Sequence, residues 1–248
     1  MSEDYSVRFE HPSAKSFITL MEVLGSIVDE ALMNFGEEGL TIKALDPAQI
    51  ALIDIEIPRD AFLTYDLKGE VFIGVNLANL LKTLPKPKKG DKLVFTGNEQ
   101  FYEVLLEGVV SKRYRYRSIE VSASKVPDVD LDFKVLATCL AKAFQDAVKD
   151  LKGAGSIVFE AQDDQYLYLK APEINAEAKL SKVAGSILEM EVKTPSRNVY
   201  DEDYISKVLK LSTVSNTIDI KFGPDIPLNL SFTIAEGGSV KYLLAPKA

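Results

Sequence analysis

At 248 residues, with 46% hydrophobic and 27% charged side chains, the chain has a globular composition and material for one large domain or two smaller ones. Its 37 Asp and Glu against 29 Lys and Arg give a net charge of −8, which excludes a surface coated in positive charge. It does not exclude a local basic face, because the local field decides binding. The one cysteine, Cys139, rules out a disulfide framework within the chain. No basic-then-apolar leader and no apolar run near the ~20 residues of a membrane span is present, so the cytoplasm is the expected compartment.

In chain order, Phe17, Leu20, Met21, Leu24, Ile27, Val28 and Ala31 recur at spacings of three and four and predict a helix over 14–32. Strands are expected at 39–45 and 50–57, divided by the turn signal Asp46-Pro47, and at 70–75. A short helix at 76–84 leads into the loop "PKPKKGDK", and "KLVFTG" with "FYEVLLEG" reads as a hairpin. The stretch "VVSKRYRYRSI" (109–119), with four basic residues, two Tyr and no acid, closes this half.

The order then repeats. A second long helix is expected over 135–151, with Leu136, Leu140, Ala143, Phe144, Ala147, Val148 and Leu151 as its stripe. "QYLYLKAPE" echoes "GLTIKALD", placing Leu167 opposite Leu40, and "NTIDIKF" echoes "DKLVF", placing Ile218 opposite Leu93. A short helix at 201–211 matches the one at 76–84, and "SVKYLLAP" stands where the basic stretch stood. The fold class expected is α+β: two similar domains, 1–118 and 134–248, each with two helices packed on antiparallel sheet. The connector, 119–133, exceeds the ~4–6 residues typical of compact proteins. It reads equally as a plain tether or as a surface segment with apolar side chains open to a partner.

Catalytic constellations are missing from the sequence. The single histidine, His11, precedes the first helix and is expected to be solvated. Asp128, Asp130 and Asp132 start like a calcium loop, but Phe133 stands where glycine is required and Cys139 where glutamate is required. "KGAGS" lacks the Lys-Ser/Thr of a phosphate loop, and no Cys/His cluster offers a zinc site. A binding or scaffolding protein without a cofactor is therefore expected, not an enzyme.

The positive charge is grouped. Lys82, Lys86, Lys88, Lys89 and Lys92 cluster on the first short helix and the loop after it. Lys142 and Lys149 lie two helical turns apart, and Lys207 and Lys210 lie on the second short helix. Lysines on such helices either face water or follow a phosphate backbone without reading bases. The basic stretch, as a strand, sets Arg113, Arg115 and Arg117 on one face and Lys112, Tyr114 and Tyr116 on the other. With 175–183 it offers two different candidate edges, which would associate head to tail and close into a ring if the rotation permits.

The segments "ALDPAQIALIDI" (44–55), "GVNLANLLKTL" (74–84) and "IAEGGSVKYLLAPK" (234–247) resemble the proliferating cell nuclear antigen family of sliding clamps, in its archaeal type, and the likeness runs along essentially the whole chain. The resemblance implies a three-subunit ring around duplex DNA, cytoplasmic and nucleoid-associated. It would tether DNA polymerase, flap endonuclease and DNA ligase and be opened by a clamp loader. DNA-facing positions would be Lys15, Lys82, Lys86, Lys88, Lys142, Lys149, Lys207 and Lys210. The partner pocket would draw on Leu45, Ile50 and Leu52, on Val126, Pro127 and Leu131 of the connector, on Ile226 and Pro227, and on Leu243, Leu244, Ala245 and Pro246. The seam between subunits would use Val110, Lys112, Arg113, Tyr114, Arg115 and Tyr116 against Ala176, Ala178, Leu180 and Lys182. Two features depart from the family pattern. The first helix turns Lys15, Thr19, Glu22 and Ser26 outward, and the second sets Gln145 and Asp146 beside its lysines. Self or paralogous subunits could complete such a ring, and the competing reading is an adaptor or checkpoint-type clamp subunit that binds proteins alone.

Overall fold

The computed structural model describes residues 5–123 and 131–247. The chain forms two compact units: one of Met1–Pro47, Ile53–Val126 and Ile234–Val240, the other of Ala48–Leu52, Pro127–Thr233 and Lys241–Ala248.

The first unit contains β1 (Val7–His11), α1 (Ala14–Gly25), β2 (Glu30–Gly36), β3 (Gly39–Leu45), β4 (Ala51–Pro58), β5 (Thr64–Leu67), β6 (Val71–Asn76), α2 (Leu77–Thr83), β7 (Lys92–Gly97), β8 (Phe101–Glu107) and β9 (Lys112–Arg117). Its strands form two antiparallel sheets, ordered β5-β1-β7-β8-β9 and β4-β3-β2-β6. Alternation dictates the strands: β1 buries Val7, Phe9 and His11 and leaves Arg8 and Glu10 at the surface. Phe9 lies at the centre of the core, its ring 5.1 Å from Phe95, 4.7 Å from Phe62 and 5.6 Å from Phe17. Helix α1 starts at Ser13, whose hydroxyl accepts the Ser16 N–H at 3.1 Å.

The second unit repeats this order as β10 (Val135–Leu140), α3 (Ala141–Asp150), β11 (Ser156–Ala161), β12 (Tyr166–Ala171), β13 (Ala176–Ser181), β14 (Ile187–Val192), β15 (Ser196–Asp201), α4 (Glu202–Val208), β16 (Thr217–Phe222), β17 (Leu228–Thr233) and β18 (Ser239–Leu244). Its sheets run β14-β10-β16-β17-β18 and β13-β12-β11-β15, the same topology strand for strand. The echoes hold at the level of residues: Leu40 lies on β3 and Leu167 on β12, Leu93 on β7 and Ile218 on β16. The short helices are capped alike, Asn76 accepting the Asn79 N–H at 2.8 Å and Asp201 the Asp203 N–H at 3.0 Å.

Both long helices are shorter than the apolar stripes suggest. Helix α1 stops at Gly25, and after a short turn the chain runs from Glu30 as a strand in which Ala31, Met33 and Phe35 are buried at every second position. In the second unit Val135, Ala137 and Cys139 are buried on β10, so Leu136 and Leu140 lie on the strand's other face and the helix starts at Ala141. A strand running directly into a helix splices two periods, and the joined pattern passes for one longer helix.

His11 is likewise not solvated. It is 1% exposed, with its ring 5.9 Å from that of Phe17 and 6.0 Å from that of Phe62. It falls on the inward register of β1, a strand whose alternation is too short to stand out in sequence. Burial lowers its pKa from the ordinary 6.5, against smaller raising effects of the Ser13 carbonyl and Glu236.

Candidate functional site

Each unit leaves one candidate strand at the margin of a sheet. β9 ends the sheet β5-β1-β7-β8-β9, and β13 ends β13-β12-β11-β15. On β9, Tyr116 is buried, stacked 5.1 Å from Tyr102, and shares a 2.7 Å hydrogen bond with the Thr83 hydroxyl. Tyr114 is half-buried, and Lys112, Arg113, Arg115 and Arg117 are exposed. The carboxylate of Glu103, 9% exposed, lies 3.8 Å from Arg113 and 3.7 Å from Arg115, and the Arg115 guanidinium sits 4.0 Å over the Phe101 ring. The alternation expected of the basic stretch is present, and Glu103 fixes two of its arginines. Before the strand, Val109 and Val110 are exposed. An open strand with apolar residues beside it is a pairing surface unless a partner covers it.

On β13, Leu180 is buried, while Ala176 and Ala178 are half-buried. Just beyond it, Lys182 reaches Asp164 at 3.5 Å and donates to the Met190 carbonyl at 3.1 Å, and Val183 is exposed. Small side chains at Ala176 and Ala178 leave the backbone of this margin approachable, and α3 packs against the same strand.

The lysines differ in exposure and in what they touch. Lys15, Lys82, Lys86, Lys88, Lys149 and Lys210 are exposed. Lys142 is exposed but ion-paired with Asp146 one turn on, and the Lys207 ammonium sits 3.9 Å over the Tyr204 ring. Lys92, grouped by sequence with the loop cluster, is tied to Glu10 at 2.9 Å, and that hydrogen bond raises its pKa. Two residues expected on outward helix faces are inside: Thr19 is 3% exposed, and Gln145 is 7% exposed and donates to the Leu209 carbonyl at 2.9 Å. Helix α1 buries nine of its twelve residues, which leaves it little surface for charge.

Most of the expected pocket residues fall within the second unit. The Ala245 N–H donates to the Ile50 carbonyl at 2.8 Å, so the 48–52 segment and the end of the chain run side by side there. Ile50 is exposed; Leu52, Leu131, Ile226, Pro227, Leu243, Ala245 and Pro246 are half-buried. Leu244, on the opposite face of β18 from Leu243, is wholly buried in the core. Leu45 ends β3 of the first unit and is half-buried. Val126 and Pro127, and with them Asp128 and Asp130, lie outside the described residues.

Two residues that sequence reasoning missed shape this region. Asn198 donates through Nδ2 to the carbonyls of Gly223 at 2.8 Å and Ile226 at 3.1 Å, and the Tyr200 hydroxyl donates to Ile226 at 2.9 Å. Together they pin the turn that presents Ile226 and Pro227. Their positions two apart on one face of β15 were the available signal. Burial pushes the Tyr200 hydroxyl's pKa well up, so it remains a donor.

No group of three or more His, Cys, Asp or Glu able to hold a metal occurs among the described residues. The surfaces offered are strand margins, lysines and an apolar patch, which can hold macromolecules.

Both halves of the chain match models of known domains. The model of the proliferating cell nuclear antigen N-terminal domain matches residues 6–135, and that of the C-terminal domain matches residues 125–247. The chain belongs to the proliferating cell nuclear antigen family. A relative from Thermofilum pendens, named DNA polymerase sliding clamp, is 32% identical over 97% of this chain and 99% of its own length. DNA polymerase sliding clamp 1 of Aeropyrum pernix is 34% identical over 94% of this chain and 97% of its own. Among solved structures, a chain of the PCNA2–PCNA3 complex from Sulfolobus tokodaii superposes with a TM-score of 0.90 at 30% identity, covering 97% of this chain and 99% of that one.

Proposed function

We propose that this chain is a subunit of a DNA polymerase sliding clamp: a three-subunit ring that encloses duplex DNA without reading its sequence and tethers replication and repair enzymes. The observation that carries the reading is the pair of unlike open margins, β9 and β13, on a twice-repeated unit of a family whose relatives are named sliding clamps. Two different edges on one chain associate head to tail, and such association closes into a ring when the rotation permits.

In this reading 1–118 and 134–248 are the clamp domains, 119–133 is the connector, and the seam joins β9 of one subunit to β13 of the next. The exposed lysines on α2, α3, the turn after α4 and the 85–92 loop supply the positive field, since a phosphate backbone asks only for cations in reach. The patch around Ile50, Leu131, Ile226, Pro227 and Leu243 receives the apolar anchors of a short helical turn from polymerase, flap endonuclease or ligase, as helix-in-groove recognition works. A clamp loader opens the ring, and the clamp performs no chemistry of its own and works in the cytoplasm at the nucleoid.

Light scattering across a dilution series is the direct test. A mass three times 27.4 kDa supports a self-sufficient ring. A mass of one chain that persists with paralogous subunits added overturns it. Lys82→Ala, Lys149→Ala and Lys210→Ala combined should shorten residence on closed circular DNA, with the log–log salt slope flattening by roughly 0.9 per lost phosphate contact. Peptide binding at the apolar patch should be unchanged.

A further inference from the structure

The two open margins, β9 and β13, do not match each other in charge. Tyr116 on β9 and Leu180 on β13 are buried, so each strand has one core face and one outer face. On the outer face β9 sets out Arg113, Arg115 and Arg117, all exposed. The same face of β13 offers Glu177, Lys179 and Ser181. Val109 and Val110 before β9 and Val183 after β13 are exposed, so both margins carry uncovered apolar side chains beside their backbone.

Register decides what a second copy would meet. A continuous sheet lays core face beside core face, because a slip of one residue would turn Tyr116 or Leu180 out to water. The row Arg113, Arg115, Arg117 would then lie against the row Glu177, Lys179, Ser181. With the rows in full overlap, Lys179 faces Arg115 whether the strands run parallel or antiparallel. A slip of two residues sets it opposite Arg113 or Arg117 instead. Like charges directly opposite on a sheet repel, so each register that keeps two or more of the three pairs carries a repulsion. Glu177 can meet one arginine, and it already lies 3.8 Å from Lys170. Asp164, near the end of β13, is held by Lys182 at 3.5 Å. Asp146 and Asp150 lie on α3, which packs on β13 from its core side, the side that Lys112 and not the arginines would share.

We propose that the subunit seated on β9 is not a second copy of this chain but a different subunit, whose open strand carries carboxylates at alternate positions toward the arginine row. Charge complementarity selects it. A guanidinium fork engages a carboxylate through two parallel hydrogen bonds, and Glu103 already holds Arg113 and Arg115 in place at 3.8 and 3.7 Å. The opposed Lys179 excludes the chain's own β13 from the same place. The inference rests on the clamp reading for the pairing of the two margins, and goes beyond it by making the ring heteromeric.

The test is the mass of the full chain by light scattering, taken over a range of concentration and salt. Wild type is expected at the mass of one chain, 27.4 kDa, with any self-association strengthened by salt, because salt screens the repulsion. Lys179→Glu turns the repulsive pair into an attractive one and should tighten self-association about tenfold, a gain that salt weakens. Adding Arg115→Glu to Lys179→Glu should abolish that gain. The double variant mixed with wild type should nevertheless associate, since each then offers the other a complementary margin, and a chain that pairs only with its charge complement is folded at both strands. A wild-type mass of three chains would overturn the inference and leave the clamp reading standing. Self-association of Lys179→Glu no tighter than that of wild type would overturn it too. The clamp reading itself fails on a different result, a mass of one chain that persists when paralogous subunits are supplied.

Discussion

The two units match strand for strand, yet they fill equivalent core positions with different side chains. Register makes the equivalence explicit: Val7 faces Gly97 across β1 and β7, and Val135 faces Phe222 across β10 and β16. One step along, Phe9 of the first unit corresponds to Ala137 of the second, opposite Phe95 and Ile220. The first unit pairs two aromatic rings, Phe9 and Phe95, and sets a glycine, Gly97, at the neighbouring inward position opposite Val7. The second carries alanine there and moves the aromatic, Phe222, to where the first has Gly97. At Gly97 a Cβ would lie 2.8 Å from the Ile73 side chain and 2.9 Å from that of Tyr102, so the first unit has no room for the second's solution. Volume is conserved over the layer and not at the residue, as close packing requires.

The largest expected effect breaks one of these solutions. Phe9→Ala removes a wholly buried ring with four aromatic neighbours and should cost roughly 3–5 kcal/mol, because nothing in the first unit can collapse into the space. The conceptual reverse, Ala137→Phe, overpacks the second unit against Phe222 and should cost about 1–3 kcal/mol. Urea titration with hydrogen exchange locates both losses: amides of β1 and β7 should lose protection in the first case, and those of β10 and β16 in the second. Equal losses in both would mean that the layers are looser than their ring distances indicate.

This exchange of positions also explains what could be seen in the sequence. The duplicated order, the two short helices and the β3/β12 and β7/β16 echoes were legible because one face of each alternates strongly. β1 and β10 were hidden. Phe9 and Ala137 share no residue identity, and each strand runs within a few residues into a helix that supplies a stronger period. The basic stretch was legible as a strand from its alternation, but not its clasp: Glu103 looks like any acid on a hairpin until β8 sets it beside Arg113 and Arg115. The pocket residues came from resemblance. Asn198 and Tyr200, which hold the 223–227 turn, are ordinary polar residues on a strand, and hydrogen bonds to distant carbonyls leave no periodic trace.

A smaller effect is expected where both units anchor the chain after their last strand. The Ile119 N–H donates to the Gly74 carbonyl at 3.0 Å on β6, and the Lys247 N–H donates to the Val199 carbonyl at 2.8 Å on β15. Gly74 and Val199 occupy the same place, two residues before the capping Asn76 and Asp201. The first unit needs glycine there, since a Cβ would lie 1.9 Å from the Ile119 carbonyl oxygen, whereas the second accommodates valine. Gly74→Ala should cost about 1–3 kcal/mol and free the Ile119 amide to exchange. Val199→Ala should leave the Lys247 amide protected. If both amides respond alike, the shared hydrogen bond and not the close approach sets the anchoring.

The smallest effect at neutral pH is a difference in the sign of pH sensitivity at one equivalent position. His11 faces Leu93, and Cys139 faces Ile218, in the same register. Both are buried, and burial favours the neutral form of each in opposite directions on the pH scale. His11 is lowered below 6.5, and its Nε2 has no hydrogen-bond partner among the described residues. The unfolded chain therefore binds the proton first as pH falls, so the first unit is fully stable above about 6.5 and loses stability below it. Cys139 is pushed up to about 12 from 9.0, so its contribution is complete below 9 and is lost as pH rises from there towards 12. His11→Cys should flatten the acid limb of a stability profile measured between pH 4 and 8 without changing the plateau by more than the altered packing. Cys139→His should add an acid limb to the second unit, read as loss of amide protection on β10 and β16. An unchanged acid limb in His11→Cys would assign the acid sensitivity to the carboxylates, with Glu160 and Glu173 the first candidates because their hydrogen bonds hold both below the ordinary value.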